Sequence, residues 1–69
     1  MMYLLKKKEL NKLLFKNGIT RQELADGADI SIETLNSWMY RGSMATFDTM
    51  IKVVEYLNVD IDVLFDEVL

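Results

Sequence analysis

The sequence predicts an all-α fold, a compact bundle of five short helices. Three observations carry that expectation. Apolar residues recur at i, i+3 and i+4 within separate stretches, the spacing of a helix with one buried stripe. Good capping residues, Thr20, Ser31, Thr46 and Asp60, stand at the head of four of those stretches. Pro is absent, the three glycines fall at or near expected turns, and no strand pattern is evident.

The first helix is expected over residues 3–17. Leu10, Leu13 and Leu14, with Leu5 or Tyr3, make its apolar side, and Lys6, Lys7, Lys8, Lys12 and Lys16 surround the rest. Asn17-Gly18 is a stop, because both residues tolerate the left-handed conformation at a helix end. Phe15 follows Leu13 and Leu14 directly, and one narrow stripe cannot bury all three. An exposed Phe15 is therefore a candidate subunit contact. Ile19 then plugs into the core.

The second and third helices, expected over 20–27 and 31–41, organise the chain. Thr20 with Glu23 three residues on has the capping-box spacing, in which hydroxyl and carboxylate satisfy early amides reciprocally. Ala25 is small enough for another helix to cross closely. Gly27-Ala28-Asp29-Ile30 is the expected turn, and Ser31 caps the third helix. At 100° per residue, Leu35, Trp38 and Met39 fall in one buried stripe. Glu33, Asn36, Ser37 and Tyr40 project oppositely, with Thr34 and Arg41 at the edge. A polar outer face held by a preceding helix and a tight turn is what a reading helix in the DNA major groove requires. The plainer alternative is a helical hairpin whose outer face is merely solvated.

After Ser43-Met44-Ala45, Thr46 caps a fourth helix over 46–57 with Phe47, Met50, Ile51, Val54 and Leu57 on its apolar side. Asn58 ends it and Val59 is buried. Asp60 caps a last helix over 60–67, with Ile61, Leu64 and Phe65 facing inward. Val68 and Leu69 are apolar at the end, either frayed or packed on a partner chain.

Sixty-nine residues are read as one domain, 1–69. A domain of this size buries only about 60 % of its unfolded surface. Without Cys or His, disulfides, His- or Cys-ligated metal and His-based triads are excluded. No apolar run approaches the roughly 20 residues needed to cross a bilayer, so no membrane role is expected. MMYLL followed by lysines has the wrong order for a signal peptide, so the cytoplasm is the expected compartment. The net charge is −3, unevenly spread. Residues 1–44 carry seven Lys or Arg against five acids, +2, while residues 45–69 carry one against six, −5. Such polarity aims one part of the chain at phosphates, or is ordinary solvated surface.

The ordered set Leu10, Leu13, Gly18-Ile19-Thr20, Glu23-Leu24-Ala25, Ile30-Ser31, Thr34-Leu35, Trp38, Gly42, Phe47, Met50, Leu57-Asn58-Val59 and Leu64 resembles the Cro and lambda-repressor-like helix-turn-helix family, also called the Xre family. The resemblance spans about residues 8–66. It implies a five-helix fold whose second and third helices form the helix-turn-helix, and a transcriptional regulator, mostly a repressor of phages or mobile elements. It also implies double-stranded DNA as partner and binding as a homodimer.

By position, the resemblance puts Thr20 and Arg21 against a phosphate. It assigns base contacts to Ile32, Glu33 and Ser37, with Asn36 and Tyr40 beside them, and puts Arg41 and Ser43 near the backbone. Asp29 replaces the frequent turn glycine, and Asp enters the left-handed region at small cost. Met39 replaces a frequent acid, Ala45 a usual Pro, and the Trp38–Gly42 gap is one residue longer than usual. Ile32 suits a thymine methyl and Glu33 suits cytosine N4.

A DNA-binding homodimer, joined through Phe15 or through Val68 and Leu69, is the leading expectation. A protein-interaction module of the same fold, such as an antirepressor or antitoxin, is the alternative, supported by the negative net charge. An enzyme is least expected. The carboxylates lack a partner acid, base or nucleophile at helical spacing, and no phosphate loop, metal cluster or cofactor motif is present.

Overall fold

The computed structural model describes residues 1–68, and Leu69, one of the candidate dimer contacts, lies outside them. The chain runs β1 (Met2–Leu5), α1 (Lys7–Asn17), α2 (Arg21–Ala28), α3 (Ile32–Tyr40), β2 (Ala45–Thr46), α4 (Phe47–Leu57), α5 (Ile61–Leu64) and β3 (Phe65–Val68). The five helices are present. The fold is not all-α, because three strands form an antiparallel sheet in the order β2-β1-β3.

Residues 3–5 are therefore strand and not the start of the first helix. An apolar run as short as Met2–Leu5 has no period that separates helix from strand. Here it alternates, with Tyr3 buried and Leu4 exposed. Lys6, Lys7 and Lys8 are poorly suited to a first helical turn, where the dipole favours acids. The helix nevertheless begins at Lys7, with no side-chain cap from Lys6.

The last helix is likewise only four residues long. Phe65–Val68 pairs with β1, setting Phe65 opposite Leu5 and Val68 opposite Met2. Phe65 does face inward as expected, but from a strand. Val68 is a paired strand residue and not a frayed end. Lys6 closes the junction, its Nζ donating to the Asp62 carbonyl at 2.6 Å and lying 3.6 Å from the Asp66 carboxylate.

One apolar cluster links helices and sheet. Leu10, Leu24, Leu35, Met50, Val53 and Leu64 are fully buried, and Phe65 meets Trp38 edge-on with ring centroids 5.6 Å apart. On α4 the buried residues are Met50, Val53 and Val54. Phe47, expected inside, is half-exposed and tilts against Tyr3 with centroids 6.2 Å apart.

Turns reflect local chemistry. Gly18, Asp29 and Asn58 close α1, α2 and α4 in the left-handed conformation, at φ 64°, 59° and 56°. Gly27 is not a turn residue but lies inside α2. A Cβ there would sit 2.3 Å from the Tyr56 ring of α4, so its bare backbone admits that ring.

Candidate nucleic-acid interface

The two helices expected to form a helix-turn-helix do so. Thr20 Oγ1 accepts from the Glu23 amide at 3.1 Å, and the Thr20 amide donates to Glu23 Oε1 at 2.9 Å, so both arms of the capping box are made. Ala25, fully buried, permits close crossing. The Ile30 amide then donates to the Ala25 carbonyl at 3.0 Å, and Ser31 Oγ accepts from the Thr34 amide at 3.0 Å to start α3. Thr46 and Asp60 occupy cap positions without making the side-chain bond.

Leu35, Trp38 and Met39 anchor α3 in the core, as its periodicity predicts. Glu33 and Tyr40 are exposed on the outer side, and Asn36 and Ser37 are half-buried between them. Ile32 is also half-buried and packs against the core, so its reach toward a partner is short. Asn36 Oδ1 is buried with no hydrogen-bond partner. A lone buried acceptor costs about 1–3 kcal/mol, and it leaves Asn36 with hydrogen bonding that the fold does not satisfy.

Three cations border this face. Arg41 Nη2 donates to Ser37 Oγ at 2.7 Å, which lays the guanidinium along α3 with its other donors available. Arg21 lies over the Tyr40 ring, 5.0 Å from its centroid. Lys7, which the sequence pattern does not single out, reaches the same ring at 5.2 Å. Its only sequence signal is the run Lys6-Lys7-Lys8. Ser43 is exposed, with its amide donating to the Ser37 carbonyl at 3.1 Å.

Thr20 has its side chain committed to the capping box, yet remains exposed beside Arg21. The candidate subunit contacts are separate features. Phe15 is 90 % exposed on α1, and Val68 is half-buried in the sheet. Among the described residues no group of His, Cys, Asp and Glu could hold a metal, and no helix is long and apolar enough to cross a membrane.

A capped helix, a tight left-handed turn and a second helix with a polar outer stripe define a helix-turn-helix unit of the DNA-binding kind. The sequence model of a helix-turn-helix family matches residues 8–64, and the chain belongs to that family, the Cro and lambda-repressor-like DNA-binding proteins. No curated protein and no solved structure matches the chain significantly.

Proposed function

We propose that this protein is a sequence-specific, cytoplasmic transcriptional regulator of repressor type that acts by binding and not by catalysis. In this reading α3 enters the major groove of a palindromic operator. Glu33, Asn36, Ser37 and Tyr40 face the bases, with Ile32 at the margin, and Thr20, Arg21, Arg41 and Ser43 face the backbone. The distribution of positive charge carries the reading. Among the described residues only Lys6 and Lys12 of the eight cations lie within 4.0 Å of a carboxylate, and three of the six left unpaired, Lys7, Arg21 and Arg41, stand around the α3 face. In a chain of eleven acids and eight cations, unpaired cations gathered about a polar stripe suit a phosphate backbone.

A homodimer supplies the affinity that so few cations lack. The molecule measures 33 × 22 × 19 Å, so two copies fit side by side on half-sites about 34 Å apart. The test is selection of bound duplexes from a random pool at moderate salt. Enrichment of a two-fold symmetric site with half-sites one helical turn apart is expected. Enrichment of a single short site would keep DNA binding and remove the dimer.

The net charge of −3 favours one second reading, a protein-interaction module that does not itself bind DNA. A stable protein complex from a folded sample that enriches no duplex would establish it.

A further inference from the structure

We propose that Lys7, Arg21 and the Tyr40 ring form one anchor for the phosphodiester backbone of duplex DNA. Lys7 is a direct phosphate contact, and Tyr40 is the positioning residue that holds both cations. The proposal rests on the DNA-binding reading and adds two roles to it, one for a residue of α1 and one for the end of α3.

Three independent observations meet here. The first is geometric. Lys7 opens α1, Arg21 opens α2 and Tyr40 closes α3, yet both cationic groups lie within 5.2 Å of one ring centroid. A cation this close to an aromatic face is attracted by the ring quadrupole. The ring thus holds two mutually repelling charges from different helices near each other.

The second is electrostatic. Lys7 occupies the first turn of a helix, where the dipole disfavours a cation. Lys6 beside it is relieved by Asp66 and the Asp62 carbonyl. Lys7 and Arg21 have no carboxylate within 4.0 Å among the described residues, although the chain is rich in acids. Charges placed against a local rule are expected at functional sites. An anion bound between these two offsets both their mutual repulsion and the unfavourable dipole.

The third is location. Tyr40 is 57 % exposed and lies two helical turns beyond Glu33 on the same stripe of α3. At 100° per residue a seven-residue step returns to the same side. A strand whose bases face Glu33, Asn36 and Ser37 therefore runs past Tyr40 with its phosphates toward Lys7 and Arg21. The ring's first task is to set the two cations, and any base it touches lies at the margin of the read sequence.

The experiment is a titration of a labelled mixed-sequence duplex, monitored by fluorescence anisotropy at several salt concentrations. Wild type is compared with Lys7→Met, Lys7→Arg, Tyr40→Leu, Tyr40→Phe, the Lys7→Met/Tyr40→Leu double variant and Arg41→Met. Lys7→Met is expected to weaken binding several-fold and to flatten the slope of log K against log salt by about 0.9, one phosphate contact. Lys7→Arg keeps the wild-type salt slope, and Tyr40→Phe loses less affinity than Tyr40→Leu. Tyr40→Leu weakens it, and the double variant loses less than the product of the two single losses.

Thermal melting separates binding from folding. Lys7→Met leaves the melting temperature unchanged or raises it, because the charge removed opposes the helix dipole. Unchanged affinity and slope in Lys7→Met, with Arg41→Met still weakened, would overturn the anchor and leave DNA binding standing. Equal losses for Tyr40→Phe and Tyr40→Leu would overturn the role of the ring. A folded wild type with no salt-sensitive duplex binding would overturn the anchor and the DNA-binding reading together.

Discussion

Glu33 serves two purposes that can be separated at the level of one side chain. As an acid in the first turn of α3 it complements the helix dipole, worth about 0.3–1 kcal/mol. In the proposed DNA-binding reading, its exposed carboxylate on the outer stripe repels phosphates and accepts from cytosine N4. Glu33→Ala is expected to cost at most that small stability term, to strengthen binding to mixed-sequence duplex, and to shift the preferred base at one operator position. Duplex selection with the variant checks this, and an unchanged preferred sequence would move the reading face away from Glu33. Gly27 shows how a residue's role can depend on a distant partner. In an exposed helix, Gly→Ala stabilises by about 0.8–1 kcal/mol. Here the new Cβ meets the half-exposed Tyr56 ring, which must swing away. Gly27→Ala is therefore expected to gain little in wild type and to gain the full amount in a Tyr56→Ala background. Denaturant unfolding of the four-member cycle reads that coupling directly.

Strands, more than helices, distinguish this structure from what the residues predict. Phe65 belongs to β3, yet it is 2 % exposed and packs edge-on against Trp38 of α3. Truncating a buried Phe costs about 3–5 kcal/mol. A domain of this length is held by roughly 3–10 kcal/mol in all. Phe65→Ala is expected to remove most of the cooperative unfolding transition, and DNA binding with it, whereas Phe15→Ala leaves stability within about 0.5 kcal/mol. A loss below about 1 kcal/mol for Phe65→Ala would detach the sheet from the core that supports α3. The helix-turn-helix was legible because its boundaries are written in side chains. Thr20 and Ser31 cap in sequence-local fashion, Gly18 and Asn58 stop helices by backbone chemistry, and Leu35, Trp38 and Met39 repeat at helical spacing. The sheet was not legible. Met2–Leu5 is an apolar run without a distinguishing period, β2 has two residues, and the Asp66-Glu67 pair breaks alternation in β3. These segments are strands because they pair with one another across the whole length of the chain, and such tertiary context overrides local propensity. The same limit hid Lys7, whose place over the Tyr40 ring depends on where α1 begins and on the end of α3.

At the scale of the whole molecule, the three unpaired cations that border α3 set a quantitative expectation for DNA binding. Screening within about 8 Å at physiological salt lets Lys7, Arg21 and Arg41 act largely as a local group, despite the −5 charge of residues 45–69. If each neutralises one phosphate, one domain binds with a salt slope of about −2.7, and affinity falls roughly 40-fold between about 50 and 200 mM salt. Two domains on a two-fold site double the slope to about −5.4, a fall of roughly 1,800-fold over the same range. The slope therefore counts domains on the duplex without a prior measurement of oligomeric state. The expected result is the shallower slope on a duplex carrying one half-site and the steeper on the full palindrome. Equal slopes on both duplexes would mean that the second copy adds no phosphate contacts, and the dimer would then have to be rebuilt with only one reading helix on DNA. A slope much steeper than about −2.7 on the single half-site would place further lysines, with Lys8 the nearest along the chain, in the interface.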